Sequence, residues 1–211
     1  MIELNLPKLG FGTPNGIRMN RGDAELWALM KKAGWKTLIL APESGSEFTL
    51  EIMKKDLDVT TIPGIVKEIR DAGLKTQAFF ILGYPGERVE DIEKSFDLIK
   101  KCDFNFVFMN NFQPLPGTPV YDDMVKKGLI EDGLMPVNYS DGVRVYTSPE
   151  LENFNFPKFI LKVYIYLALR HPTNIPYMFT LFDPLMIVRK IFKNIYRVVV
   201  NKKITEYSSA A

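Results

Sequence analysis

Hydrophobic and polar positions follow two alternating periods over roughly the first 130 residues of the chain. Apolar residues at helical spacing, clearest within residues 62–69, predict amphipathic helices. Unbroken apolar runs such as residues 78–82 predict short buried strands. We expect helices over residues 23–33, 61–73 and 87–101, and strands over residues 16–19, 36–41, 75–82 and 105–109.

Helix ends follow from single residues. Asp23 and Thr61 carry short oxygen acceptors that can cap the first turn of a helix, and Gly73 can adopt the left-handed conformation that ends one. Helices that alternate with apolar strands indicate an α/β fold with a parallel sheet. About four such units make part of a TIM-type (βα) barrel, here half of one, but a small open sheet would show the same pattern.

Composition divides the chain further. Residues 1–150 carry a net charge of −4 and residues 151–211 a net charge of +6. We expect a barrel-like segment over residues 1–131, a linker rich in glycine, proline and polar residues over 132–150, and a basic, aromatic helical extension over 151–211. Within that extension, residues 156–169 and 184–200 read as helices.

Several classes of protein are not expected. The chain has one cysteine, no secretory signal, and no apolar run long enough to span a membrane, so a cytoplasmic location is expected. The acidic barrel-like segment argues against nucleic-acid binding. The extension mixes aromatic and basic residues, so it either packs over the barrel or rests on a membrane surface as an amphipathic helix.

Polar loops rich in glycine or proline follow three of the predicted strands, over residues 42–46, 83–87 and 110–119. Ligands of parallel α/β folds gather at the carboxyl ends of the strands, so these loops predict one common site. Glu43 directly follows a buried strand, where a carboxylate is costly without a partner. The glycines and prolines, taken alone, are equally typical of turns.

Four segments together resemble the motifs of radical S-adenosylmethionine (SAM) enzymes. Residues 15–18, 42–55, 79–91 and 114–121 are similar, in order and spacing, to the regions around the third to sixth strands of that barrel. The extension resembles that of the subgroup with a cobalamin-binding domain, which includes anaerobic magnesium-protoporphyrin ester cyclases and B12-dependent methyltransferases.

The resemblance implies SAM as a ligand and a [4Fe–4S] cluster that is held by a Cys-x3-Cys-x2-Cys loop. One electron from that cluster would cleave SAM to give a 5′-deoxyadenosyl radical. The resemblance assigns Glu43 and Ser44 to the ribose or methionyl part of SAM, Lys54 or Lys55 to its carboxylate, Ile81 to the adenine, and Gly83 and Gly86 to close backbone approach.

The chain departs from that family in its cysteines. Cys102 is the one cysteine, so three thiolate ligands cannot be assembled here. We expect Cys102 to be a small buried apolar residue. We expect His171, which precedes a proline, to end a helix rather than to bind a metal. The resemblance therefore implies the C-terminal portion of a radical SAM enzyme, for methyl transfer or oxidative cyclisation, that is inactive alone.

The rest of such an enzyme would come from a missing N-terminal half or from a partner chain. The alternative is a non-catalytic module that binds a ligand or a partner. The open strand edges of a half barrel also predict self-association, closure by the extension, or poor solubility.

Overall fold

A computed structural model describes residues 10–133 and 146–176 of the chain. The chain divides into two compact units, Met1–Tyr164 and Ile165–Ala211. The strands are β1 (Thr37–Glu43), β2 (Lys75–Leu82) and β3 (Phe106–Asn111). The helices are α1 (Ala24–Lys32), α2 (Glu47–Ile52), α3 (Ile62–Asp71), α4 (Val89–Cys102), α5 (Pro119–Lys126) and α6 (Phe156–Arg170).

Short 3₁₀ turns complete the described elements, at Met19–Arg21, Val59–Thr61, Pro149–Leu151 and Pro172–Asn174. The expected helix over residues 184–200 and most of the expected linker, residues 134–145, lie outside the described residues. The bounds predicted for the three segments stay a prediction. Among the described helices, none combines the length and the apolar character needed to cross a bilayer.

The three strands form one parallel sheet in the order β1-β2-β3, which confirms the predicted α/β class. Each strand lies within two residues of its predicted bounds, and β2 matches them fully. In parallel register, Leu40 pairs with Ala78 and Ala78 with Val107. Neighbouring strands therefore end together, and the loops that follow them meet at one edge.

The predicted strand over residues 16–19 is wrong. This segment makes one parallel bridge, between Ile17 and Leu40, in which the Ile17 N–H donates to the Ile39 carbonyl at 2.9 Å. Gly16 has φ of +76°, which takes the backbone out of the extended conformation just before the bridge. The described sheet therefore has three strands rather than about four.

The sheet has one buried face and one half-open face. Leu40, Phe80 and Leu82 are fully buried, and α3 packs against β2. Their neighbours Phe79 and Ile81, on the opposite face, remain partly exposed. A barrel needs an interior face, and this half-open face is consistent with that role.

Two of the three predicted helix ends are confirmed. The Asp23 carboxylate accepts the Leu26 N–H at 2.8 Å, and Gly73 with φ of +80° follows the end of α3. The Thr61 cap is wrong, because its hydroxyl donates to the Asp58 carbonyl at 2.7 Å. The preceding 3₁₀ turn leads directly into α3, and the Asp58 carboxylate accepts the Thr60 N–H of that turn.

The first part of α6 packs on the same unit as the sheet. The Tyr164 ring stacks on Phe106 with centroids 5.7 Å apart, and Phe159 meets Phe96 of α4 edge to face. Lys162 forms an ion pair with Glu93 at 2.8 Å. Residues 156–164 therefore cover β3 and α4, whereas self-association and membrane contact stay predictions.

The turn after β1 is fixed on α4 by a close backbone approach. A Cβ atom at Gly45 would lie 2.5 Å from the Lys94 carbonyl oxygen and 2.6 Å from the Ser95 Cα. The Gly45 N–H donates to the Ser95 hydroxyl at 2.8 Å, and the Ser46 hydroxyl donates to Asp91 at 2.6 Å. This buried network sets the position of the residues on either side of Gly45.

The turn after β2 is held by a buried carboxyl group. Glu87 has no exposed surface, and its Oε2 accepts the Gly83 N–H at 2.6 Å. Its Oε1 is buried without a hydrogen-bond partner among the described residues. Burial raises the pKa of Glu87 to about 7; the Gly83 and Tyr84 N–H groups oppose that shift, and the nearby Asp91 charge adds to it.

Gly45→Ala should destabilise the chain strongly, because the new methyl group would collide with the backbone of α4 rather than with a movable side chain. We expect a loss of about 3 kcal/mol in the free energy of unfolding, measured by urea denaturation.

Gly64→Ala is the matched control. Gly64 lies in α3, and no atom of a neighbouring residue comes within 4 Å of the place that its Cβ would take. The same substitution should therefore stabilise the helix by about 0.5–1 kcal/mol. Equal effects at the two positions would contradict the close approach at Gly45.

Glu87→Gln should change how stability depends on pH. With its pKa raised to about 7, Glu87 stays protonated in the folded state over a range where the unfolded chain releases the proton. Stability should therefore fall as pH rises from about 4.5 to about 7 and then level off.

The glutamine keeps an oxygen acceptor for the Gly83 N–H and never ionises. We expect it to match the wild type at pH 5 and to exceed it by about 2 kcal/mol at pH 8. Glu90→Gln makes the same substitution at an exposed position in the first turn of α4 and serves as the matched control. Parallel wild-type and Glu87→Gln profiles would show that Glu87 is not the titrating group.

Candidate functional site

A cavity of about 860 Å³ lies at the carboxyl ends of the strands. All three strands or the loops that follow them contribute to it, as does the segment before the first helix. Its lining residues are Pro14, Asn15, Glu43, Met53, Lys55, Phe79, Ile81, Tyr84, Asn110, Asn111, Phe112, Gln113, Leu115, Thr118 and Val120. The size and the mixed lining suit a small organic ligand.

Glu43 reaches this cavity because β1 is irregular at its end. The register with β2 shifts between Leu40 and Glu43, so one extra residue is accommodated on β1, and Glu43 has φ of +65°. Its carboxylate accepts a hydrogen bond from the Lys55 ammonium group at 3.1 Å. The partner that a carboxylate requires at this position is therefore Lys55.

The middle of the cavity is apolar and aromatic. Phe79 and Ile81 of β2 line it, together with Tyr84 and Phe112, whose rings meet edge to face at 4.9 Å. Burial raises the pKa of the Tyr84 hydroxyl, and the Asp123 charge adds to the effect. The hydroxyl is therefore kept neutral, and this region offers flat apolar surface to a ring.

The far side of the cavity carries side-chain amides. Asn110 and Asn111 end β3, and Gln113 follows in the next loop. The side-chain oxygens of Asn111 and Gln113 are buried and, within the described part of the chain, have no hydrogen-bond partner. We call Asn110, Asn111 and Gln113 the amide wall.

Three of the residues that the sequence assigned to a ligand come together in the cavity, namely Glu43, Lys55 and Ile81. Ser44 and Lys54 are not among its lining residues. The Ser44 hydroxyl is buried at 3.3 Å from that of Ser95, and Lys54 is exposed with φ of +54°. Direct ligand contact by these two residues stays a prediction.

Gly83 and Gly86 also lie outside the cavity lining. Both have positive φ, at +81° and +85°, so they shape the turn after β2. A methyl group at Gly83 would lie 3.5 Å from the ring of Phe156. Close approach to a ligand by either glycine stays a prediction.

The sequence did not identify the residues of the amide wall as candidate site residues. The sequence predicts that the loop over residues 110–119 faces the site, but the family motifs assign none of its residues to a ligand. Two successive asparagines at the end of an apolar strand were the available signal, because buried amides need partners.

Nothing in the described parts of the chain fits an iron–sulfur cluster. Those residues include no group of three histidine, cysteine, aspartate or glutamate side chains placed to hold a metal ion. Cys102, the one cysteine of the sequence, is buried in α4, and burial raises the pKa of its thiol to about 12. Its expected role as a buried apolar residue agrees with this environment.

Comparison with known proteins shows which protein family part of the chain matches. A model of the radical SAM superfamily matches residues 11–99. The cytidylyl-2-hydroxyethylphosphonate methyltransferase of Streptomyces wedmorensis is 29% identical over 150 residues, which are 67% of this chain and 28% of that protein. The tRNA-2-methylthio-N(6)-dimethylallyladenosine synthase of Aromatoleum aromaticum is 38% identical over 119 residues, 56% of this chain and 26% of that protein.

Solved structures show the same fold. The radical SAM methyltransferase TsrM of Kitasatospora setae, solved with tryptophan and a SAM analogue, aligns with a TM-score of 0.58 and 14% identity over 74% of this chain and 35% of its own. Coproporphyrinogen III oxidase of Escherichia coli aligns with a TM-score of 0.51 and 14% identity over 77% of this chain and 32% of its own.

These matches decide between the two architectures that the sequence left open. The three-stranded sheet corresponds to part of a radical SAM barrel rather than to a small open sheet. The chain spans about a quarter to a third of the length of these relatives. Residues 11–99 therefore match the radical SAM superfamily, and the described sheet has the fold of part of a radical SAM barrel.

Proposed function

We propose that this chain forms one wall of the SAM pocket in a radical SAM enzyme. The observation that carries the proposal is the convergence of Glu43, Lys55 and Ile81 in one cavity at the carboxyl ends of the strands. These residues come from three separate places in the sequence, and each was assigned to SAM by its position within a family motif. A cavity that joins them is what a SAM site requires.

The ion pair at one end of the cavity offers both charges that SAM needs. The Glu43 carboxylate can accept hydrogen bonds from ribose hydroxyls, and the Lys55 ammonium group can donate to the carboxylate of the methionyl part. The two groups pair with each other at 3.1 Å. Ligand binding would exchange this pair for contacts with the ligand.

The apolar centre suits the base. Phe79 and Ile81 present half-buried apolar surface beside Glu43, and a planar ring that covers them would remove that surface from water. The neutral Tyr84 adds a hydroxyl at the rim of the same region.

SAM bound beside a reduced [4Fe–4S] cluster supplies a 5′-deoxyadenosyl radical, which is the chemistry of the superfamily. One cysteine cannot provide three thiolates, so no step through a cluster follows from this chain. We propose that the cluster ligands come from another polypeptide segment, either an N-terminal half or a partner chain.

Methyl transfer is the reaction class that we propose for the complete enzyme. It rests on the 29% identity with a phosphonate methyltransferase, since the likeness to TsrM supports the fold alone. A second TsrM structure contains cobalamin and a [4Fe–4S] cluster. Cobalamin use remains part of the proposal, and none of the described residues is assigned to it.

The chain should bind S-adenosylhomocysteine, a stable SAM analogue, weakly but saturably, as followed by NMR titration. Glu43→Gln should lower the affinity about tenfold, because it removes a charged acceptor. Glu68→Gln makes the same change on the exposed side of α3 and should have no effect. Identical affinities for all three proteins would contradict the site.

Anaerobic reconstitution with iron and sulfide should give no iron–sulfur absorbance and no cleavage of SAM by the chain alone. Cys102→Ala should behave like the wild type, because the thiol is buried and stays protonated. A stable cluster that survives gel filtration would overturn the proposal that the thiolates come from elsewhere.

A further inference from the structure

The second compact unit of the chain, Ile165–Ala211, exposes large apolar side chains in its described part, residues 165–176. Leu169 is 80% exposed and Ile165 is 51% exposed, although both belong to α6. They lie four residues apart and therefore share one stripe of the helix. Leu167 lies between them in the sequence, on the opposite side of the helix, and is buried. This part of α6 is therefore apolar on its outer stripe as well as on its buried side.

An apolar outer stripe is costly in water. Each exposed leucine or isoleucine keeps apolar surface hydrated, and a contact that covered this surface would be favourable. The outer stripe of a surface helix usually carries polar or charged residues instead. Ile175, which follows the helix, adds further exposed apolar surface. The described part of the second unit therefore has the character of a docking surface.

The charge of the second unit indicates what covers this surface. Its sequence holds seven lysine and arginine residues against two aspartate and glutamate residues, a net charge of +5. Arg170 directly follows the exposed Leu169, so a cation accompanies the outer stripe. Apolar side chains beside cations are typical of helices that lie in the interface of an anionic bilayer. There the apolar side chains enter the bilayer, and the cations meet the anionic headgroups.

The sequence of the second unit favours a segment that lies on a bilayer over one that crosses it. Its longest stretch without Asp, Glu, Lys or Arg is residues 171–182, which has twelve positions, and a span needs about 20. Cations then recur at short intervals from Arg189 to Lys203. Because a cation stays at the level of the headgroups, short apolar runs between cations suit the surface of the membrane.

We propose that the second unit binds the surface of an anionic membrane through the outer stripe of α6 and the cations of the same unit. The sequence left two roles open for the extension, packing over the barrel or resting on a membrane. Residues 156–164 take the first role, since Tyr164 stacks on Phe106. Residues from 165 onward take the second. This inference goes beyond the proposed SAM site and does not depend on it.

Flotation of the full chain with lipid vesicles tests the proposal. We expect most of the protein to float with phosphatidylcholine vesicles that contain about one third phosphatidylserine, because the anionic headgroups attract the cations of the second unit. Little should float with vesicles of phosphatidylcholine alone. Equal binding to both kinds of vesicle, or binding to neither, would overturn the proposal.

Variants locate the contact on α6. The double variant Ile165→Gln and Leu169→Gln should lower the affinity for anionic vesicles about tenfold, because it removes side chains that enter the bilayer. Arg170→Gln should lower it about fivefold, since one cation fewer faces the headgroups. Leu29→Gln and Lys32→Gln make the same kinds of change at exposed positions of α1 and should leave binding unchanged. Equally large losses from the α1 variants would overturn the assignment to α6.

Unfolding and self-association give separate measurements. Because Ile165 and Leu169 are exposed, the thermal unfolding of their double variant without vesicles should match that of the wild type. A second copy of the chain is the competing occupant, since residues 1–164 carry a net charge of −3. A dimer that the double variant dissociates, with no flotation of the wild type, would overturn membrane binding. Glu43→Gln should float like the wild type, so failure of the SAM site and failure of the membrane contact are distinguishable.

Discussion

The contact between Gly45 and the backbone of α4 positions the rest of the site. A Cβ atom at Gly45 would lie only 2.5 Å from the Lys94 carbonyl oxygen. A residue with a side chain at this position would therefore keep the turn after β1 from approaching the helix so closely. The serine hydroxyls on either side are tied to Ser95 and Asp91. Because this turn is fixed, the irregular end of β1 directs Glu43 into the cavity and toward Lys55. The buried serines thus act on the site through Glu43.

The cavity joins three chemically different zones because it crosses the sheet. One end is a neutralised ion pair on β1, the centre is apolar surface on β2, and the other end is the amide wall on β3. A parallel register brings the ends of all three strands to the same edge. The order of the strands therefore sets the order of ligand groups that the cavity can accept: a hydroxyl or carboxylate, an apolar ring, and a polar group that pairs with side-chain amides.

Much of the fold could be predicted from sequence because its signals are local. The apolar run of β2 and the helix ends at Asp23 and Gly73 each depend on a few neighbouring residues. The prediction of a fourth strand over residues 16–19 was wrong, because the conformation of Gly16 depends on how this segment meets β1. For the site, Glu43, Lys55 and Ile81 were placed by their motifs. The environment of Ser44 and the unpaired amides depend on contacts between segments that are distant in the sequence, which no local pattern shows.

The central claim, that the strand ends form one adenosyl pocket, is tested most directly by mapping bound S-adenosylhomocysteine on the chain with isotope-labelled amide NMR spectra. The pocket predicts shifts of the signals from Glu43, Ile81 and the β3 end, together with the side-chain NH₂ signals of Asn110, Asn111 and Gln113. Shifts confined to the outer surfaces of α1 and α3, or none at saturating ligand, would contradict it.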